Sequence, residues 1–332
     1  MKPEYSFYLF GMGWRRKMIF FNNCLFDLFS KELLYCFQGE PGKIIPEEYK
    51  VIFSEGEIYE NETGVYLREG EQLSLLSEGY LNIPEFRNYP NQKALKILFH
   101  EITINIVDGK PVPNLIVYEK PWYRDAAMMC MVLEHTGNLH LVYEWIQNLD
   151  EVYDRNNAGN CEPDNLGQVL YMISLVSDRN HPLVSKIMKE IHKWEKDGYI
   201  QGLTDGNKHP VYQTKWLKFG LKKLGLQDIY QIPEKEDDYG NLFWMDFVEK
   251  SVEKEYSWEI SDYPYLEIAK MHYEGQTAPI MEEIHYPITW ERNASQAHYD
   301  NNLPYFVKMK DKHLCAPHTW HAAELYLWMV EK

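Results

Sequence analysis

The stretch DAAMMCMVLEH, residues 125–135, constrains the fold more than any other. Read as a helix, it is apolar almost all the way round, and such a helix is stable only when covered on most sides. It therefore needs several further elements stacked about it. At 332 residues the chain can supply that cover, in one large domain or two modest ones.

The residues before and after this helix follow two patterns. Over the first ninety residues, YSFYLF, RKMIFF, ELLYCF, YKVIFS and GVYLRE are short, aromatic or β-branched, and separated by Gly, Asn, Pro and Glu, as antiparallel strands are. From about residue 91 the pattern is helical: NQKALKILFHEITINI, LHLVYEWIQNL, NLGQVLYMISLV, HPLVSKIMKEIHKW, YQTKWLKFGLKKLG, NLFWMDFVEK, YLEIAKMHY and HTWHAAELYLWMVEK. Leu183, Ile187, Ile191 and Trp194 share one face of such a helix, as do Leu166, Val169, Leu170 and Ile173. Short connections predict antiparallel helix pairs, and the mix of half-polar and wholly apolar members predicts two concentric layers. The expected division is a β-rich segment over 1–90 and a helical domain over 91–332.

Charge narrows the partners. A formal net charge of −16 repels nucleic-acid phosphates and anionic membrane. No apolar run approaches the length of a membrane span, and no cleavable signal is read at the start. Five cysteines, an odd and scattered set without a CxxC pair, point to a reducing compartment, so the protein is expected in the cytoplasm. The aromatic share, 15%, supplies rings on which sugar faces could stack, although most must belong to the core.

Ahead of the apolar helix stands PWYRD, residues 121–125. An adjacent Arg124 and Asp125 offer a donor fork and an acceptor suited to neighbouring sugar hydroxyls, with Trp122 and Tyr123 as a stacking wall. A structural reading also fits: Asp125 caps the helix and Arg124 pairs with a nearby carboxylate.

PWYRDAAMMCMVLEHTG resembles the WPRDAAY segment of glucoamylase-type glycosidases, the six-hairpin (α/α)6 toroid superfamily. CEPDNLGQVLYMISLV, HPVYQTKWLKFGLKKLG and HTWHAAELYLW are similar, in the same order, to three further segments of that family. The first ninety residues carry no such likeness. The resemblance implies a mainly α fold, an α/α toroid that is complete or lacks some hairpins, preceded by the β-rich segment. It implies a sugar pocket at one end of the ring, where Arg124 and Asp125 hold the sugar and Glu162, Asp164, Gln168, Lys215, His318 and Trp320 line the site. Trp122, Trp216 or Trp290 would provide stacking.

By the same resemblance the protein would be a glycoside hydrolase acting on a small soluble oligosaccharide through an inverting pair of carboxylates. Asp205, in the Gly-rich loop of YIQGLTDGNKHPVYQTK, is the expected acid, although an Asp-Gly turn explains it equally. The family's base has no counterpart, because Ser295 stands where a carboxylate is expected; Glu291 is the substitute, or a water held by Ser295 and His298. Glu324 is a weaker alternative. The rival reading is a sugar-binding or regulatory protein that keeps the pocket and lacks the base. No cofactor is expected. His313, His318 and His321 lie close together but show no standard zinc spacing, and HEITI at 100–104 is not HExxH, so no metal is expected; the three could equally bind hydroxyls, and metal-dependent hydrolysis through them is a third reading.

Overall fold

The computed structural model describes residues 7–118, 120–156, 158–235, 239, 265, 286–291, 294, 299, 302–311 and 313–331. The N-terminal part is antiparallel throughout. Strands β1 (Phe7–Phe10), β2 (Met18–Phe21), β3 (Cys24–Asp27) and β4 (Leu33–Cys36) form a four-stranded meander. A five-stranded meander follows: β5 (Lys43–Ile45), β6 (Lys50–Phe53), β7 (Gly56–Asn61), β8 (Gly64–Glu69) and β9 (Gln72–Glu78). Alternation places Val51, Phe53, Ile58, Val65 and Leu67 inside, while Ile52, Leu73 and Leu75 face solvent. Cys24 and Cys36 are register partners on β3 and β4 and are joined as a disulfide. Counting cysteines could not reveal that pairing, because the two come together only through strand register.

Helices begin at α1 (Gln92–Thr103), followed by the hairpin β10 (Ile106–Val107) and β11 (Lys110–Pro111). Next come α2 (Tyr123–His135), α3 (Tyr143–Gln147), α4 (Asp164–Val176) and α5 (Pro182–Ile191). Two more short hairpins precede α6 (Pro210–Lys223): β12 (Glu195–Lys196) with β13 (Tyr199–Ile200), and β14 (Leu203–Thr204) with β15 (Asn207–Lys208). The last helices are α7 (Pro304–Asp311), which carried no sequence expectation, and α8 (Thr319–Glu331). NLFWMDFVEK and, apart from Tyr265, YLEIAKMHY lie outside the described residues.

α2 is buried on every side from Tyr123 to Leu133, as its composition demands, and packs against both α4 and α8. α4 and α6 cross most closely. Gly167 lies against the backbone of Trp216 and Leu217, and Gly220 lies against the carbonyl of Gly167. Two glycines thus let the helix axes approach where any side chain would hold them apart. Leu183, Ile187 and Ile191 of α5 all face inward, the face their spacing indicated.

The expected toroid is not found. Among the described residues there are eight α-helices, too few for a twelve-helix (α/α)6 ring, and antiparallel sheets share the core with them. The fold is mixed α/β, not mainly α. The N-terminal strands are integral to it: Phe7, Tyr8, Leu9 and Phe10 are buried, Tyr8 stacks on His100 of α1, and His100 Nε2 lies 2.9 Å from the Leu9 carbonyl. One hydrophobic cluster runs from β1 through α8. No helix among the described residues is long and apolar enough to cross a membrane.

Candidate functional site

The N-terminus of α2 delivers Arg124 into a nest of carboxylates. Its Nη2 donates to Glu162 Oε2 at 2.6 Å, its Nε to Asp164 Oδ2 at 3.2 Å, and its Nη1 to Asp205 Oδ2 at 2.6 Å and to the Tyr239 hydroxyl. Glu162 and Asp164 sit at the start of α4, and Asp205 comes from the β14–β15 turn. Asp205 has φ +49° and Gly206 φ +82°, the paired left-handed conformations of a two-residue hairpin turn. The Asp-Gly turn is therefore present, and its geometry presents the carboxylate to Arg124.

Further donors complete each carboxylate. Asp164 accepts from Thr204 at 3.0 Å, Gln168 at 3.0 Å and the Tyr212 hydroxyl at 3.3 Å. Glu162 Oε1 accepts from the Asp205 backbone N–H at 3.0 Å and from Asn156 at 2.9 Å. Tyr239 donates to Asp205 Oδ2 at 2.6 Å. Arg124 also lies near the faces of Tyr239 and Trp320, its guanidinium carbon 5.2 Å and 6.0 Å from the ring centroids. The guanidinium that was expected to grip a sugar has most of its donors taken by protein acceptors. It pairs with three carboxylates.

Burial penalises the charged form of Asp205, yet the Arg124 charge and the Tyr239 hydrogen bond overcome it and hold the group below the usual carboxylate range. Its side chain is also 49% exposed, while Glu162 and Asp164 are closed off. An ionised carboxylate cannot donate a proton, which rules it out as the acid; it can accept one, though its lowered pKa makes it a weak base. Glu162 differs, since burial raises its pKa against the pull of Arg124.

Asp125 does not join Arg124. It is buried, accepts from Thr319 Oγ1 at 3.1 Å, and so ties α2 to the first residue of α8. Burial pushes its carboxyl up to about 7. Glu291 lies beside the start of α8: its backbone pairs with Cys315, and its Oε2 is 3.3 Å from His318 Nε2. Burial and the charges of Asp125 and Asp205 push Glu291 up to about 7. Ser295 and His298 lie outside the described residues.

The aromatic candidates separate. Trp320 and Tyr239 flank Arg124; no sequence signal marked Tyr239, which stands within the acidic sequence EKEDDYGN at 234–241. Trp122 is half-buried against Tyr118. Tyr123 turns away from Arg124: its N–H donates to Asp154 at 2.6 Å, and its ring lines a separate cleft of about 660 Å³ with Trp14, Trp145 and Tyr153. Trp216 is fully buried between Tyr171 and Phe219, so it cannot stack on a ligand, and Lys215 beside it is buried as well. Trp290 is 7% exposed. Glu324 accepts from the Tyr265 hydroxyl at 2.5 Å and not from an arginine among the described residues.

No family model, curated protein or solved structure matches this chain.

Proposed function

We propose that the protein is a carbohydrate-active enzyme, a glycoside hydrolase that cleaves a small soluble oligosaccharide with inversion at the mouth formed by Asp205, Tyr239, Trp320 and Glu291. The observation that carries this reading is Asp205: a half-exposed carboxylate on a tight turn, oriented by Arg124 and Tyr239 and lying beside aromatic rings. Inverting hydrolysis needs a fixed, ionised carboxylate that takes a proton from water as the water attacks the anomeric carbon, and Asp205 is assigned that role because Arg124 and Tyr239 fix it in place and keep it ionised. The glycosidic C–O bond breaks, and the leaving oxygen needs a proton. Glu291 is the second carboxylate at the mouth and supplies it. These roles are the reverse of those expected from the sequence.

A second reading, a sugar-binding protein without turnover, draws on the consumption of Arg124 by its own carboxylates, which leaves few donors for a substrate. Incubation with a broad panel of di- to tetrasaccharides separates the two. Hydrolysis of at least one member, lost in Glu291→Gln, is the expected result. Saturable binding without hydrolysis would replace the enzyme reading with the second one. The compartment turns on the Cys24–Cys36 bond: disulfides persist in oxidising surroundings, which weighs against the cytoplasmic expectation.

A further inference from the structure

Where α8 begins, Glu291, His318 and His321 each place a potential ligand atom so that all three lie within 4.8 Å of one another. We infer that these three side chains form a binding site for a divalent transition-metal ion of the zinc type. Nothing in the Arg124 network uses the two histidines.

The chemistry of the set fits. Two imidazoles and one carboxylate are the donor set of open zinc and related sites, and a harder ion such as Mg²⁺ or Ca²⁺ prefers oxygen alone. Ligands bound to one zinc at roughly 2.0–2.2 Å stand about 3.3 Å apart on a tetrahedron. His318 Nε2 and Glu291 Oε2 are already 3.3 Å apart. His318 and His321 are three residues apart at the head of a helix, which puts them on one face, with ring centroids 4.5 Å apart.

One observation beyond the clustering itself points to a ligand. His318 faces Glu291 with Nε2, so its buried Nδ1, which has no hydrogen-bond partner among the described residues, is not the atom that would take the ion. His321 Nδ1 lies 3.1 Å from the Tyr265 hydroxyl, which itself donates to Glu324 at 2.5 Å. The hydroxyl proton is thus committed to Glu324, and the Tyr265 oxygen accepts from His321 Nδ1–H. That chain fixes the ring's tautomer and orientation as second-layer partners of metal-bound histidines do.

The backbone around the site is held independently of any ion. Glu101 of α1 accepts from the N–H groups of Ile288 and Thr289 and from the Thr289 hydroxyl. Thr289 Oγ1 in turn accepts from the His318 N–H at 3.3 Å. Glu291 is fixed by its two-way backbone pairing with Cys315, at 2.8 and 2.9 Å. Asp125 and Asp205 add negative charge near Glu291, which favours a cation. An ion here would hold Glu291 as a ligand and withdraw it from proton transfer; only that consequence rests on the hydrolase reading.

The sequence set these histidines aside because their spacing matches no zinc motif. The third ligand comes from a distant segment, which a local spacing search cannot find.

The test is titration of chelator-treated full-length protein with Zn²⁺ alone, followed by calorimetry, and with Co²⁺ followed by visible absorption. One equivalent bound, with affinity at least tenfold weaker in His318→Ala and in His321→Ala and unchanged in His313→Ala, is the expected outcome. His313 is exposed and outside the cluster, so it controls for adventitious binding. Tyr265→Phe should weaken binding by roughly 10–100-fold. Glu291→Gln, at the accessible edge of the cluster, tests the site without emptying the buried histidine positions and should also weaken binding. Absence of saturable Zn²⁺ binding by the wild-type protein, or binding equal in all variants, would overturn the inference. Both results are independent of whether any oligosaccharide is hydrolysed.

Discussion

Arg124 and Asp205 stand 81 positions apart in the chain and meet at 2.6 Å, one from the head of a buried helix and the other from a hairpin turn. Around this contact the guanidinium also pairs with Glu162 and Asp164, so a single cation is shared among three carboxylates.

Removing that cation should be costly. Arg124→Ala leaves Glu162 and Asp164 buried without their counter-charge, and loss of one partner of a buried charge cluster typically costs about 3–5 kcal/mol. Arg124→Lys should recover only part of this, since one ammonium cannot present a planar fork to three carboxylates. Urea unfolding of the two variants checks the order; equal stability of Arg124→Ala and wild type would remove the network from the account.

Asp205→Asn isolates charge from shape. Asparagine tolerates the left-handed turn conformation, so β14–β15 should persist. Loss of a general base lowers kcat by about 10²–10⁴-fold. The steady-state rate on any hydrolysed oligosaccharide is the check, with circular dichroism to confirm the fold.

Much of this site was legible in residues and little in pattern. PWYRD marked the head of α2, and Glu162, Asp164, Gln168 and Asp205 were all singled out; the structure brings them within one hydrogen-bonded network. Their roles were not legible, because an arginine's partners are set by how α4 and the β14–β15 turn dock on α2. The toroid expectation failed for a related reason. Strings such as YQTKWLKFG look family-like through their aromatic and small residues, yet Trp216 and Gly220 occur here because α6 is buried against α4. Among the strands of the two meanders, β3, β5, β7 and β9 escaped notice: β3 and β5 are short, and the exposed faces of β7 and β9 carry Glu, Asn, Gln or Ser. β7 and β9 are fixed by pairing with β8.

The α4–α6 crossing gives a test of the fold alone. A Cβ at Gly167 would stand 2.1 Å from the Trp216 carbonyl carbon and 2.4 Å from the Leu217 nitrogen, both backbone atoms that cannot rotate away. Gly167→Ala should therefore destabilise by at least about 3 kcal/mol, the upper end of ordinary overpacking. Thermal unfolding measures it. Gly70→Ala, where the Cβ meets open space, should cost far less; its expense is only the positive φ.

Glu101 makes stability pH-dependent. Burial pushes its carboxyl up to about 8 against the three donors on Ile288 and Thr289. A folded-state value above the unfolded one, about 4.3, means that the folded protein binds the proton more tightly. Its contribution is fully present below the unfolded value, declines as pH rises, and is lost once pH passes about 8. Urea midpoints measured from pH 4 to 9 should show this decline, and Glu101→Gln should flatten it. An unchanged slope in the variant would place the dependence elsewhere.

The central claim is that Asp205 activates water at a sugar-binding mouth. Its most direct measurement is proton NMR of the anomeric products from a hydrolysed oligosaccharide, run in parallel with binding of the same oligosaccharide to Asp205→Asn. The account predicts release of the inverted anomer by the wild-type protein, and a variant that binds with similar affinity yet does not turn over. Undiminished turnover by Asp205→Asn would contradict it.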